Sequence, residues 1–317
     1  MSNAFTAPHF QSHEAAREWF ERTRWPEGPV CPHCGSVGRG YKTKRPGLYR
    51  CAEPECRQDF TVTARTVMER SKVPLNKWAM AFYLMASSKK GMSAHQLHRA
   101  LGLSYQTAWF MAHRIREAMR GDGFSPLGGP GGIVEADETY FGKHDVTRPR
   151  RRASLGPYIK GGKAAQKRTI LALVERGGSV RSFHVAYADK AVVNEIIMTN
   201  IARETRLHTD ESRLYGDAKG YFADHMTVRH SAGEYARGDV HTNTIEGVFS
   251  IFKRGMKGVY QHCKEKHLHR YLAEFDFRYN NRVALGIGDV DRTLAAVRGA
   301  AGKRLTYKQP RVADIPF

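Results

Sequence analysis

RTILALVERGGSVRSFHVAY, Arg168 to Tyr187, is the stretch on which the fold of this chain turns. Two runs rich in Ile, Leu, Val and Phe, RTILALVE (168–175) and VRSFHVAY (180–187), flank the turn Arg-Gly-Gly-Ser, and that pattern is a β-hairpin. Upstream, IVEAD (133–137) reads as a short apolar strand ending on a carboxylate. Downstream, Asp189 is placed to cap the helical stretch KAVVNEIIMTNIARE; RLHTD (206–210) and MTVRHS (226–231) then read as strands, and Ile245 onward as helix. The order β-β-β-α-β-(α)-β-α predicts an α/β domain whose mixed sheet is covered by helices. With its first and fourth strands adjacent and parallel, the strand ends at Asp137 and Asp210 lie side by side.

The rest of the chain divides by composition. Residues 1–27 read as a short helix, with Ala15, Trp19 and Phe20 on one side, ending in the turn Pro26-Glu27-Gly28-Pro29. Residues 28–63 are short of apolar runs and rich in turns and cysteine, and residues 64–120 carry helical patterns. GDGFSPLGGPGG (121–132) has six glycines and two prolines in twelve positions and reads as a linker. The α/β domain is expected over 133–300, with a basic insert at 143–168 and a tail at 301–317. That insert holds nine Lys or Arg against one Asp, a density that points to a mobile loop contacting DNA through residues such as Arg150, Arg151 and Arg152.

Across 317 residues, 51 Lys and Arg outnumber 31 Asp and Glu, giving a net charge of +20 and a pI near 9.9. Such a balance points first to a polyanionic partner. No stretch has the length of a signal-peptide core or approaches the roughly 20 apolar residues of a membrane span, so the chain is expected to be soluble and intracellular. Four of the five cysteines are clustered: Cys31-Pro-His-Cys34, sixteen intervening residues, then Cys51-Ala-Glu-Pro-Glu-Cys56. That spacing lets four thiolates meet one tetrahedral Zn2+, and a site with four protein ligands has no open position for catalysis. The metal is expected to staple a ribbon too small to fold on its own core. The flanking Lys42, Lys44, Arg45, Arg50 and Arg57 suit either phosphates or a solvated face.

Between Ser93 and Met119, Leu97 and Leu101 share a helix face, Gly102 permits a sharp turn, and Ser104 can cap a second helix. Along that helix Ala108, Ala112, Ile115 and Met119 repeat at helical spacing. This is the pattern of a helix-turn-helix, in which Tyr105, Gln106 and Thr107 would face base edges.

Phosphodiester chemistry with two divalent metals needs carboxylates from separate segments, brought to ions about 4 Å apart. Asp137, Asp210 and either Glu246 or Asn243 are the candidates. Glu135 shares Asp137's side of the strand and is a rival ligand, Glu138 is expected to point away, and Asp217 reads as a turn residue or as one that supports the ligands from behind. Asn243 as N-cap with Glu246 three residues later is also a capping-box pattern. In the helix that follows, Ile245, Val248, Phe249, Phe252 and Met256 form the apolar stripe. Glu246, Ser250, Lys253 and Lys257 share another face, placing Lys253 about 10 Å along the axis from Glu246.

CPHCG, YRCAEPECRQDF, VEADETYFG, LHTDES and the long block HTNTIEGVFSIFKRGMKGVYQHCKEKHLHRYLAEFDFRYNNR together resemble one family: the DDE-type bacterial insertion-sequence transposases with an N-terminal zinc ribbon, the ISXO-two-like group. The 35 residues between Asp210 and Glu246, and Lys253 seven beyond, are similar to the spacing in DDE transposases and retroviral integrases. The resemblance implies an RNase H-like fold. It also implies two Mg2+ or Mn2+ ions held by Asp137, Asp210 and Glu246, and cleavage of DNA at the element ends followed by joining of the 3′-hydroxyls to target DNA. Terminal inverted repeats and target DNA would be the partners of a homo-oligomer in a synaptic complex in the bacterial cytoplasm, at the nucleoid, with no membrane and no small-molecule substrate. Two other readings share parts of this evidence: a non-enzymatic DNA-binding regulator, and an RNase H-like nuclease that cuts without joining.

Overall fold

A computed structural model describes residues 4–121, 125–145 and 167–306. The chain divides into two units, Met1–Arg120 with Ile287–Phe317, and Gly121–Gly286.

The first unit opens with α1 (Pro8–Gln11) and α2 (His13–Arg24), the latter started by Ser12, whose hydroxyl accepts from the Ala15 N–H. Ala16 and Phe20 of α2 are buried. A small antiparallel sheet follows in the order β1 (Gly40–Lys42), β2 (Tyr49–Cys51), β3 (Asp59–Phe60). Strands this short cannot hold themselves together. Trp25 meets Tyr49 and Phe60 edge-on at 5.4 and 5.8 Å between ring centres, and the four cysteines close the other end. Next come α3 (Leu75–Ser87), burying Trp78, Phe82 and Met85, then α4 (Ala94–Leu101) and α5 (Tyr105–Met119). Ser93 and Gln96 form a capping box on α4, Gly102 turns the chain at φ +58°, and the Ser104 hydroxyl accepts from the Thr107 N–H to start α5. Leu97, Leu101, Ala108, Ala112, Ile115 and Met119 are all buried, as their spacing predicts.

The second unit is a five-stranded mixed sheet: β4 (Ile133–Lys143), β5 (Lys167–Glu175), β6 (Val180–Val185), then α6 (Lys190–Asn200), β7 (Arg206–Asp210) and β8 (Asp224–Val228). The strand order is β6-β5-β4-β7-β8; β4, β7 and β8 are mutually parallel and the hairpin is antiparallel. The two-residue strands β9 (Ala236–Arg237) and β10 (Val240–His241) lead into α7 (Asn243–Gly255), a π-helical turn at Met256–Tyr260, and α8 (Leu268–Asn280). β5 shows why helices must cover both faces. Ile170, Ala172 and Val174 join Ile245, Val248, Phe249, Phe252 and Tyr271 in one core, while Leu171 and Leu173 join Val193, Ile197, Leu207 and Tyr215 in the other. This is the RNase H-like arrangement.

The boundaries differ from expectation in three places. β4 runs on to Lys143, because antiparallel pairing with β5 carries it six residues past Asp137. Asp137 therefore lies within the strand, not at its end. The segment read as a linker is docked where it is described: Leu127 is 4% exposed and exchanges backbone bonds with Asn200 and Ala202, and the Gly129 N–H donates to the Thr205 hydroxyl at 2.9 Å. Lastly α9 (Asp289–Arg298), expected in the domain of 133–300, packs against α2, α3 and α5 and belongs to the first unit. Val67 and Gly302 donate backbone bonds to Ala300 and Arg65, so residues 301 and 302 belong to this unit rather than to a free tail. A helix's apolar stripe shows that one face is buried, but not which partner buries it.

Candidate functional site

The parallel register of β4 and β7 is Ile133↔Arg206, Val134↔Leu207 and Glu135↔His208. Continued two residues beyond the last pair, that register brings Asp137 level with Asp210. Pairing between β4 and β7 stops at Glu135↔His208, so both acids sit where the two strands part. Each is oriented by the chain beside it: Asp137 Oδ1 accepts the Glu138 N–H at 2.7 Å, and Asp210 Oδ1 accepts the Ser212 N–H at 2.9 Å.

The same strand fixes the start of α7. Asn243 does not cap this helix; it is the first helical residue, and neither it nor the preceding Thr242 provides a side-chain cap. The cap is Glu135, fully buried on β4. Its Oε2 accepts the Ile245 N–H at 3.0 Å and its Oε1 accepts the Thr244 hydroxyl at 2.9 Å. An acid at the positive end of a helix is favoured by the aligned peptide dipoles. Glu135, a rival ligand by sequence, is thus occupied as a structural anchor. Glu246 follows the capped residue, half-exposed, with its Oε1 3.8 Å from His230 Nε2. Asn243 is exposed, and its N–H donates to His241 Nδ1 at 3.3 Å.

Electrostatics tie these positions together. Burial pushes the Asp137 carboxyl up to about 7, with the negative charges of Glu138, Asp210 and Glu246 adding to the effect. Burial lowers Lys253, and the nearby Asp137 opposes that shift. The structure thus brings Asp137, Asp210, Glu246 and Lys253 into one neighbourhood. Glu138, expected to point away to solvent, is part-buried: its Oε2 accepts the Tyr215 hydroxyl at 2.7 Å, and burial followed by Asp210 raises it. Tyr215 is fully buried, so Glu138 is held beside the cluster rather than in water. The paired Glu138 and Tyr215 left no periodic trace in the sequence.

In the first unit, Cys31, Cys34, Cys51 and Cys56 have all four sulfurs within 4.8 Å of one another. Cys31 Sγ to Cys56 Sγ is 3.7 Å and Cys34 Sγ to Cys51 Sγ is 3.6 Å. Four sulfurs at about 2.3 Å from a central zinc would be roughly 3.8 Å apart, so the set fits a tetrahedral ion. Hydrogen bonds from Ser36, side chain and then backbone, lower the Cys34 thiol, whereas burial raises Cys31, and burial with the neighbouring thiols raises Cys56: four crowded sulfurs share few thiolates unless a cation lies among them. Among the described residues, no trio of acids meets the 4.8 Å spacing that the cysteines do; the carboxylates are spread more widely. On α5, Tyr105 and Gln106 are exposed and Thr107 is half-buried, with Tyr105 stacked on His95 at 4.4 Å. Arg150, Arg151 and Arg152 lie outside the described residues.

An RNase H-like sheet carrying carboxylates on two parallel strands and a following helix defines the DDE class. Residues 129–280 match the ISXO2-like transposase domain, and residues 11–59 match the transposase zinc-ribbon domain. The chain is also 30% identical over 283 residues, 85% of its length and 91% of the relative's, to an uncharacterized protein in transposable element ISH50 of Halobacterium salinarum. The chain belongs to the ISXO2-like family of DDE transposases with an N-terminal zinc ribbon. No described helix is long and apolar enough to cross a membrane.

Proposed function

We propose that the protein is a DNA transposase that binds the terminal inverted repeats of an insertion sequence, cleaves at the element ends and joins the 3′-hydroxyls to target DNA. Asp137, Asp210 and Glu246 are the residues that would hold two Mg2+ or Mn2+ ions. The observation that carries this reading is the β4–β7 register, which sets Asp137 level with Asp210 while Glu135, two residues back on β4, caps the helix bearing Glu246. Carboxylates from three separate segments suit two ions about 4 Å apart. Such ions supply an activated water and charge neutralisation at the phosphate.

The side chains have separate tasks. Asp137 and Asp210 present oxygens from the parting of two strands and Glu246 from the facing helix, so the reacting phosphodiester is held between rigid elements. Lys253 is two turns along the same helix and lends positive charge to the phosphate. Glu246 is favoured over Asn243 because a carboxylate binds a hard cation better than an amide, and because Glu246 bears electrostatically on Asp137. In the first unit, Zn2+ held by Cys31, Cys34, Cys51 and Cys56 staples the ribbon, and Tyr105, Gln106 and Thr107 read the element ends. Arg150, Arg151 and Arg152 of the basic insert contact the DNA backbone. Synapsis of two ends calls for a homo-oligomer working on DNA in the cytoplasm, at the nucleoid.

Labelled element-end DNA incubated with Mg2+ tests this, with wild type beside Asp137→Asn, Asp210→Asn, Glu246→Gln and Asn243→Ala. Wild type is expected to cleave and to yield strand-transfer product, and the three acid variants to lose both. Cleavage by the acid variants at the wild-type rate would overturn the catalytic reading. Loss in Asn243→Ala with retention in Glu246→Gln would make Asn243 the third ligand.

A further inference from the structure

The Glu135 carboxylate is one end of a larger network. Arg176, in the β5–β6 turn, donates from Nε to Glu135 Oε1 at 2.6 Å, from Nη1 to the Asp239 carbonyl at 2.6 Å, and from Nη2 to the His241 carbonyl at 2.9 Å. The same Nη2 reaches His241 Nδ1 at 2.9 Å and His208 Nδ1 at 3.2 Å. The Asn243 N–H also donates to His241 Nδ1. A guanidinium offers no acceptor, so an imidazole nitrogen bonded to Arg176 accepts from it; burial, followed by Arg176 and Arg206, lowers His208 to about 4, and His241 Nδ1 also lies 3.2 Å from Glu135 Oε1. The pair thus gathers β4, the hairpin turn, β7, the strand before α7 and the first turn of α7 onto one buried anchor.

We propose that the Glu135–Arg176 pair is the positioning device that sets Glu246 against Asp137 and Asp210, an inference that rests on the catalytic reading above. Glu135 and Asp137 are two residues apart on one strand, about 7 Å by strand rise. Ile245 and Glu246 are adjacent on the helix. One carboxylate therefore fixes the spacing between an acid on the sheet and an acid on α7, through the Ile245 N–H and the Thr244 hydroxyl. α7 lacks a side-chain cap at Thr242, so nothing local replaces the anchor if it is lost. A misplacement of about 1 Å at a reacting centre costs on the order of 100-fold in rate, so the expected signature is catalytic and not merely a loss of stability.

The test uses the full chain, with Glu135→Gln and Thr244→Val beside a core control, Val174→Ala, which empties space among the residues packed on β5. Two readouts are taken: hydrogen exchange at the Ile245 and Glu246 amides without divalent metal, and cleavage of element-end DNA as a function of Mg2+. Glu135→Gln is expected to speed exchange at those amides, to lower the maximal cleavage rate at least 10-fold, and to raise the Mg2+ needed for half-maximal rate, with DNA affinity unchanged. Thr244→Val is expected to show the same effects more weakly, and Val174→Ala to show none of them. If Glu135→Gln matches Val174→Ala in exchange and in Mg2+ dependence while wild type cleaves, the positioning role is overturned. If wild type itself does not cleave, it is the catalytic reading that fails, whereas the exchange result still reports on the anchor.

Discussion

Replacing Asp276 by Asn should remove a pH dependence of stability that is built into the back of the sheet. Asp276 lies on α8, where its two oxygens accept the Ser182 N–H of β6 at 2.8 Å and the Ser182 hydroxyl at 2.7 Å. Burial raises its carboxyl to about 7 from 3.8, against the lowering effect of both hydrogen bonds. A carboxyl whose pKa is raised on folding is protonated in the folded chain where the unfolded chain has ionised. Its contribution is fully present below about 4 and is lost as pH rises through about 7. At about 1.4 kcal/mol per pH unit the ceiling is roughly 4 kcal/mol, and a side chain with partial access to water should realise about 1–2 kcal/mol. Asn keeps an acceptor for the Ser182 N–H and offers a donor to the hydroxyl, without a charge to expel. Urea unfolding of both proteins at pH 5 and pH 8.5 measures the effect. The variant should gain about 1–2 kcal/mol relative to wild type between those pH values. A difference that stays constant, or changes in the opposite direction, would refute the reasoning.

Gly128→Ala should destabilise the second unit by about 2–4 kcal/mol in thermal or urea unfolding. Its backbone sits at φ +81°, and an added Cβ would lie 2.3 Å from the hydroxyl of buried Thr205, at the root of β7. Purified protein should carry one zinc per chain by elemental analysis, and Cys51→Ser should lose it together with the near-ultraviolet signal of Trp25, which packs on Tyr49 beside it. Gln106→Ala should weaken binding to element-end DNA by about 1–3 kcal/mol relative to scrambled DNA while leaving the salt dependence unchanged, as measured by fluorescence anisotropy.

Much of the second unit was legible because its signals are local. Gly177 and Gly178 between two apolar runs give the hairpin, and period-two burial along 170–174 feeds both cores. A helix between strands forces β7 parallel to β4 and sets Asp137 beside Asp210. The cysteine spacing and the Ser93 and Ser104 caps were equally local. What escaped is non-local. Asn243-x-x-Glu246 has the form of a capping box, yet the orphan N–H of Ile245 is met by Glu135, 110 positions away, and sequence spacing carries no record of such a partner. Residues 125–132 look flexible by composition, but Gly128 and Gly129 are there so that the backbone can close on Thr205. Glu138 reads as a solvent-facing acid until buried Tyr215 is found donating to it. The destination of α9 depended on a match between two apolar surfaces distant in sequence.

Protein-backbone cleavage by bound iron tests most directly whether Asp137, Asp210 and Glu246 form one metal site. With Fe2+ in place of Mg2+ and a reductant and peroxide to generate hydroxyl radicals, the chain should be cut near all three residues. Those cuts should fade together under excess Mg2+ and disappear together in Asp137→Asn. Cuts at only one of the three positions, or a full set that persists in Asp137→Asn, would contradict a shared site.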